Sequence, residues 1–253
     1  MCYDDNARPP LPPIAGGAAQ GEDLVLTADD DNRFAAYLAT PVGQAHARLL
    51  ILPDVRGLHH FYKELAERFA EQGITALALD YFGRSAGLGP RDDTFEYMPH
   101  VQQLRFDSIM QDVRAALSRL GETEAGSRPT FTVGFCMGGT LSFMTGTQDV
   151  GLNGVIGFYA GMSRDFGGGG TLLDRASQIK FPVLALFGGA DAGIPAEQVE
   201  RFDRELDKAG VTHRVITYPG APHSFFDRRA ADFAEASADA WTQVLDFIAA
   251  HEA

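Results

Sequence analysis

The sequence predicts an α/β fold with a mostly parallel central sheet, helices on both faces and an antiparallel edge at its N-terminal end. Three observations predict it. Six short runs are almost continuously apolar, which is typical of strands buried on both faces. Stretches of helix-forming composition separate these runs, and several of the stretches end at a glycine. Two turn-flanked segments near the N-terminus precede this alternation.

An antiparallel hairpin is predicted first, because the strand-like residues 23–27 and 34–39 flank the turn-rich residues 28–32. Six buried strands follow, at residues 47–52, 75–79, 131–135, 154–159, 183–187 and 214–218. Helices are expected at residues 62–72, 101–120, 141–147, 196–209 and 230–250. An alternation of strands and helices implies crossovers between parallel strands, and these crossovers cover both faces of the sheet.

The alternation continues to the C-terminal end, so residues 21–253 are predicted to form a single domain. Residues 1–20 are rich in Pro, Gly, Ala and Asp without periodicity, which predicts a flexible N-terminal arm. The glycines at 167–170 are interpreted as a connector, because no strand directly precedes them and no Lys-Ser or Lys-Thr follows. Residues 81–99 leave two interpretations open: a lid over the pocket, or a surface loop packed by its own aromatic rings.

The composition argues against several kinds of partner. With 21 Lys+Arg against 34 Asp+Glu the formal charge is −13, which repels nucleic acid and anionic membranes. No apolar run is long enough to cross a bilayer, and the first residues lack the apolar core of a signal peptide, so a cytoplasmic location is expected. Cys2 and Cys136 are predicted to be reduced thiols. A monomer or small homo-oligomer is expected.

The segment Gly134-Phe-Cys-Met-Gly-Gly has the form of a nucleophile elbow, a sharp turn between a strand and a helix. Glycine is expected two residues before and two after the apex, because a side chain there would collide with the neighbouring strand and helix. At the apex, Cys136 lies at a helix N-terminus, where N–H groups and the helix dipole favour a thiolate. Cys136 is therefore a candidate nucleophile. The alternative is a small buried side chain in an ordinary strand–helix turn.

Two residues are candidates to activate this cysteine. Asp191 follows the strand predicted at residues 183–187, and His223 follows the strand predicted at residues 214–218. A cysteine nucleophile needs a base, and the base needs an orienting acceptor. The chain order Cys136, Asp191, His223 is the nucleophile, acid, histidine order of the α/β-hydrolase fold, which predicts these three as catalytic. Taken singly, Asp191 could shape a turn or cap the next helix, and His223 could be an ordinary loop histidine.

This constellation resembles the dienelactone hydrolase family. The resemblance extends from about residue 33 to residue 250 and is carried by Leu52-Pro-Asp-Val-Arg-Gly-Leu, Ala78-Leu-Asp-Tyr-Phe-Gly-Arg-Ser, Gly134-Phe-Cys-Met-Gly-Gly, Phe187-Gly-Gly-Ala-Asp and Ala221-Pro-His-Ser-Phe. It implies hydrolysis of a cyclic enol ester by cysteine attack, through an acyl-enzyme that water later cleaves. The partner expected from it is a small ester or lactone.

The resemblance also implies roles for residues near the thiol. Arg84 falls where family members hold the substrate's carboxylate, and Asp54 falls where they have a glutamate beside the cysteine. Family members place a second arginine four residues after the histidine, whereas this chain has Asp227 there. If Asp227 faces the pocket, its carboxylate would disfavour strongly acidic substrates. The substrate itself is therefore not transferred from the family.

An oxyanion hole is predicted from the backbone N–H groups of Met137, which follows the nucleophile, and Val55, which follows the third strand. No cofactor or metal is expected. The adjacent His59 and His60 would point in different directions on a helix and lack the companion residues of a zinc motif. Two alternatives to an esterase stay open: a thioesterase or acyl transferase on the same fold, and a non-catalytic small-molecule-binding protein.

Overall fold

The computed structural model describes residues 6–13, 17–124 and 126–252. The strands are β1 (Ala19–Thr27), β2 (Arg33–Pro41), β3 (Ala47–Leu52), β4 (Ile74–Leu79), β5 (Thr130–Phe135), β6 (Gly154–Phe158), β7 (Val183–Gly188) and β8 (His213–Tyr218). The helices are α1 (His60–Ala70), α2 (Gly83–Ala86), α3 (Tyr97–Val101), α4 (Phe106–Gly121), α5 (Met137–Thr145), α6 (Leu172–Arg175), α7 (Ala196–Ala209) and α8 (Ala234–Ala250). A 3-10 turn at Ala176–Gln178 follows α6.

All eight strands form one sheet in the order β1-β2-β4-β3-β5-β6-β7-β8. β1 pairs with β2, and β2 with β4, in antiparallel directions, whereas the other neighbouring pairs are parallel. β3, β4, β6 and β7 are buried at every position, as expected of strands covered on both faces. The predicted α/β-hydrolase fold with an antiparallel N-terminal edge is confirmed. The carboxyl ends of β3, β5, β6, β7 and β8 meet at one edge of this sheet.

The helix predicted at residues 101–120 is wrong in one respect, because two helices occupy this region. α3 ends at Val101 and α4 begins at Phe106, and between them Arg105 has an extended backbone with φ −126° and ψ 136°. The Phe106 N–H donates to the carbonyl of Phe166 at 2.7 Å. A contact with a distant loop thus interrupts a helix that local composition favours. No helix within the described ranges is long and apolar enough to cross a membrane.

The predicted N-terminal arm contacts the domain where the structure describes it. The indole N–H of Trp241 donates to the carbonyl of Pro10 at 2.9 Å, and Arg8 forms an ion pair with Glu64 at 2.7 Å. β1 begins at Ala19, and its first two residues pair with Pro41 and Thr40 of β2. Cys2 lies outside the described residues.

Two loops that the sequence singled out are held by their own side chains. The carboxylate of Asp165 accepts hydrogen bonds from the N–H groups of Gly168 and Gly169 at 2.7 and 3.2 Å, which agrees with a connector. In residues 81–99, the guanidinium of Arg91 pairs with buried Asp80 at 2.8 Å and lies 4.5 Å from the ring centroid of Phe95. These contacts favour a packed surface loop over a lid.

Candidate active site

Cys136 lies between β5 and α5 in the strained conformation of a nucleophile elbow. Its backbone angles, φ 55° and ψ −115°, are uncommon for a residue with a side chain. Its N–H donates to the carbonyl of Phe158 at 3.0 Å, which holds the turn against β6. Two further non-glycine residues with positive φ, Tyr159 and Ser224, lie beside the site. Backbone strain thus collects around Cys136.

The glycines two residues to either side of Cys136 permit close backbone contacts. A Cβ on Gly134 would overlap the carbonyl of Gly138, and a Cβ on Gly138 would overlap the carbonyl oxygens of Leu52 and Pro53 at the end of β3. This requirement also explains why α5 begins at Met137 and not at the predicted residue 141. Glycine is a poor helix former, yet here it lets the first turn of the helix approach the sheet.

His223 and Asp191 come from the loops after β8 and β7. The Nδ1 of His223 lies 2.6 Å from the Oδ2 of Asp191. The second oxygen of Asp191 accepts from the Gly193 N–H at 2.8 Å, so the buried carboxylate is fixed at both oxygens. The imidazole of His223 also hydrogen-bonds to the sulfur of Cys136. The structure therefore brings the three predicted residues together.

The charges around His223 stabilise its protonated form. Burial favours the neutral ring, but hydrogen bonds to Asp191 and Cys136, together with the negative charges on both, raise the pKa of His223 to about 10. The imidazole is therefore positively charged at neutral pH. The imidazolium of His223 and the dipole of α5 both favour the deprotonated form of the Cys136 sulfur, so a thiolate there would pair with the charged ring.

The residues predicted for the oxyanion hole face the same cavity as the sulfur. Cys136, His223, Val55 and Met137 line a cavity of about 230 Å³. Met137 is the first residue of α5, and the first N–H groups of a helix have no partner inside the helix. The cavity is smaller than the ~300–1,000 Å³ typical of drug-sized ligands, so a small molecule fits it best.

The sequence-based prediction missed the loop that follows β6. Arg164 and Phe166 from this loop line the cavity beside Cys136. The guanidinium of Arg164 donates to the carbonyl of Val101 at 2.6 Å and lies 4.8 Å from the ring centroid of Phe166. Burial lowers the pKa of Arg164, and the charge on Cys136 opposes that shift. The sequence could have indicated this loop by its position, because it follows the carboxyl end of a predicted parallel strand, where the active sites of such sheets lie.

Arg84 does not line this cavity, in contrast to the prediction. Its guanidinium donates to the carboxylate of Asp112 at 2.8 Å and also pairs with Asp30. It lines a separate groove with residues of α4. The physical reason is that two carboxylates of this acidic protein reach Arg84 and compensate its charge. Its guanidinium is thus committed to contacts within the protein.

Asp54 and Asp227 are buried and lie outside the lining of the cavity. Asp54 accepts a hydrogen bond from the Arg56 N–H at 2.9 Å, and Asp227 accepts one from the Tyr159 hydroxyl at 2.8 Å. Burial, and next the negative charge on Asp54, raise the pKa of Asp227 to about 8. Asp227 is therefore mostly a neutral acid at pH 7. It does not place the negative charge in the pocket that would disfavour acidic substrates.

Replacing Asp227 with asparagine is expected to stabilise the protein at pH 8 by a few kcal/mol. An unfolded aspartate loses its proton near pH 4, whereas the folded one keeps it to about pH 8, so wild-type stability falls as pH rises through this window. The asparagine amide does not titrate in this range, so the stability of the variant should not fall between pH 4 and pH 8. Urea unfolding at pH 5 and pH 8 measures the difference. The exposed Asp149→Asn variant is the control, and equal pH dependence of wild type and Asp227→Asn would contradict the prediction.

Side chains that could bind a metal lie away from the cavity. His59 is buried and caps α1, with its Nδ1 accepting from the Phe61 N–H at 3.2 Å, which accounts for its position without a metal. On the surface, Asp203, Asp207 and His213 hold their oxygen and nitrogen atoms within 4.8 Å of one another. The Nε2 of His213 lies 3.2 Å from the carboxylate of Asp203, so a hydrogen bond between these two side chains accounts for their proximity.

Comparison with known proteins finds relatives that match most of the chain. The chain is 28% identical over 242 residues to a Methylorubrum extorquens protein named "Putative carboxymethylenebutenolidase", covering 92% of this chain and 81% of the relative. A crystal structure from Klebsiella pneumoniae has a TM-score of 0.81 at 22% identity, covering 92% and 99% of the two chains. A dienelactone hydrolase-like promiscuous phosphotriesterase from metagenomic libraries has a TM-score of 0.78 at 22% identity, covering 94% and 100%. These two structures share the fold.

A family model described as "Dienelactone hydrolase family" matches residues 34–252. The match spans the sheet from β2 onward, with the elbow and the loops after β7 and β8. This protein therefore belongs to the dienelactone hydrolase family.

Proposed function

We propose that this protein hydrolyses small esters and lactones through an acyl-enzyme on Cys136. His223 serves as the acid and base, and Asp191 orients it. One observation carries the proposal: a cysteine at a strained elbow within hydrogen-bond reach of an imidazole whose other nitrogen lies 2.6 Å from a buried carboxylate. Nucleophile, base and orienting acceptor are the three parts that covalent acyl transfer needs.

The first half of the reaction forms a thioester. The Sγ of Cys136 attacks the carbonyl carbon, and the carbonyl oxygen gains negative charge. Backbone N–H groups of Met137 and Val55 stabilise this oxyanion. The carbon–oxygen bond then breaks, and the Nε2–H of His223 protonates the departing oxygen. In a lactone that oxygen stays attached to the acyl group, so the product of this step is a hydroxyacyl-enzyme.

The second half returns the enzyme to its starting state. The neutral ring of His223 accepts a proton from a water molecule, and the resulting hydroxide attacks the thioester carbon. The carbon–sulfur bond breaks, which releases the carboxylic acid and leaves the thiolate beside the imidazolium. No cofactor enters this scheme. The expected cytoplasmic location and the absence of a nucleic-acid partner stay predictions from the sequence.

Incubation with 4-nitrophenyl acetate is expected to leave an acetyl group on Cys136, detected by intact-protein and peptide mass spectrometry. The adduct should be absent from Cys136→Ala and present in Cys2→Ala, which is the matched control because Cys2 is the other cysteine of the chain. Neither adduct nor turnover across a broad panel of esters and lactones would assign the protein to the non-catalytic binding class. A strong preference for thioesters or alcohol acceptors over lactones and water would favour a thioesterase or acyl transferase.

A further inference from the structure

The imidazole of His223 packs against the ring of Tyr159. The two ring centroids lie 4.8 Å apart, and the ring planes are tilted by 56°. The hydrogen bond to Asp191 fixes one atom of the imidazole and leaves the ring able to turn about that contact. The side chain of His223 is 34% exposed, so a neighbour on its buried side is needed to limit this rotation. Tyr159 is placed to limit it.

Tyr159 is itself held by its backbone and by its hydroxyl. It directly follows β6, and its φ of 36° is uncommon for a residue with a side chain. Its N–H donates to the carbonyl of Leu186 in β7 at 2.7 Å, and its hydroxyl donates to the carboxyl group of Asp227 at 2.8 Å. The side chain is fully buried. A strained backbone beside reacting groups indicates that the direction of this side chain matters for function.

Asp227 joins Tyr159 to the loop that carries His223. It lies four residues after His223 and also accepts a hydrogen bond from the Arg228 N–H. The hydroxyl of Ser224 hydrogen-bonds to it as well. Asp227 is 3% exposed, and because its pKa is raised it stays mostly neutral and buried at pH 7. The end of β6 and the loop after β8 are thereby connected through one carboxyl group.

The two reacting groups are aligned through consecutive residues at the end of β6. The N–H of Cys136 donates to the carbonyl of Phe158 at 3.0 Å, and His223 packs on Tyr159, the next residue. A change in the position of this segment would therefore alter the approach of the imidazole to the sulfur. A misplacement of about 1 Å can cost about 10²-fold in rate.

We propose that Tyr159 and Asp227 are positioning residues: the ring of Tyr159 holds the imidazole of His223 in line with the Cys136 sulfur, and Asp227 holds that ring. The inference rests on the proposed function for the reaction that this alignment serves. Neither residue is among the described residues that line the cavity, so both act on His223 and not on the substrate. The position where family members have an arginine thus supports the histidine in this chain.

The kinetic test removes the hydrogen bond from either side. Tyr159→Phe keeps the ring without the hydroxyl, and Asp227→Leu removes the acceptor. Each is expected to lower the maximal acylation rate with 4-nitrophenyl acetate by about 3- to 10-fold and to leave the half-saturating ester concentration unchanged. The double variant should lose no more than either single variant, because both substitutions remove the same hydrogen bond. Asp227→Asn keeps an acceptor oxygen and should restore most of the rate.

The matched control is Tyr37→Phe, which removes a tyrosine hydroxyl that donates to Glu67 far from the site on β2. It should keep the acylation rate, and an equal loss in this variant would reduce the effect to one of general stability. An unchanged rate in Tyr159→Phe, or losses that add in the double variant, would overturn the proposal. If thermal unfolding shows that Asp227→Leu does not fold, Tyr159→Leu replaces it; this variant lacks the ring and should lose about 10- to 100-fold.

Alkylation by iodoacetamide separates this inference from the proposed function. The imidazolium favours the thiolate, so the alkylation rate of Cys136 at pH 6 reports its alignment with His223 without any ester. In a Cys2→Ala background this rate should fall by about 3-fold or more in Tyr159→Phe and stay unchanged in Tyr37→Phe. If esters are not hydrolysed but alkylation depends on Tyr159, the proposed reaction fails and the positioning role stands. If wild type hydrolyses esters and neither rate depends on Tyr159, the reverse holds.

Discussion

Replacing Asp191 with asparagine is expected to lower kcat/KM for an activated ester by about 10²- to 10⁴-fold while the fold stays intact. The carboxylate accepts a hydrogen bond from Nδ1 of His223, which leaves Nε2 to face the sulfur of Cys136. An asparagine amide at this place could donate to Nδ1 and turn the ring to the wrong tautomer. Stopped-flow acylation with 4-nitrophenyl acetate measures the loss, with the exposed Asp29→Asn variant as control.

The same substitution is expected to shift the pH dependence of acylation to lower pH. Wild-type His223 has a raised pKa of about 10, so its charge and the stability it contributes are complete below about pH 6.5 and are lost as pH rises through about 10. The neutral amide would remove one of the contacts that raise this pKa, so the alkaline fall in rate should begin earlier. A profile of Asp191→Asn that superposes on that of wild type would refute the assigned role of Asp191.

Replacing Gly138 with alanine is expected to cost more than about 4 kcal/mol of stability and to give little folded protein. A Cβ on Gly138 would occupy the space of the Leu52 and Pro53 carbonyls. These carbonyls lie at the end of β3, which is held between β4 and β5 in the sheet and therefore cannot easily move away. The first turn of α5 would have to withdraw from β3. Circular dichroism and chemical denaturation of the purified variant measure the loss.

The control for this substitution is Gly121→Ala. Gly121 ends α4, and a Cβ there would meet no atom within 4 Å, so alanine is expected to be neutral or slightly stabilising. A Gly138→Ala protein with the Tm of wild type would contradict the steric argument. It would also remove the reason for glycine two residues after the apex of the elbow.

The sheet and the three residues that meet at its edge could be predicted because their signals are local. A strand buried on both faces has to be apolar throughout, as at β3 and β7, and the elbow needs glycines at a fixed spacing around Cys136. Chain order then assigns Asp191 and His223. The strand and elbow inferences use residues within a few positions of one another, and the assignment of Asp191 and His223 needs only their order along the chain.

The errors arise where distant parts of the chain meet. The resemblance predicts Arg84 in the pocket, but in the folded chain Arg84 pairs with the carboxylates of Asp30 and Asp112, which are distant from it in the sequence. No sequence motif surrounds Arg164. Its position beside the thiol depends on the conformation of the loop after β6, which the sequence alone does not indicate. Helix α4 starts late for the same reason, since its first N–H is bound by that loop.

The loop after β6 carries none of the three residues proposed to react, although β6 lies in the sheet between β5 and β7. Because Arg164 and Phe166 of this loop line the cavity, we expect mutations there to change which molecules the protein accepts more than they change the reaction itself. Directed evolution aimed at residues 160–166 should therefore yield altered preferences more often than inactive protein. Random substitutions at the elbow should more often yield inactive protein. Because the reacting residues and this loop lie in separate segments, members of the family can change substrate preference while they keep the reaction.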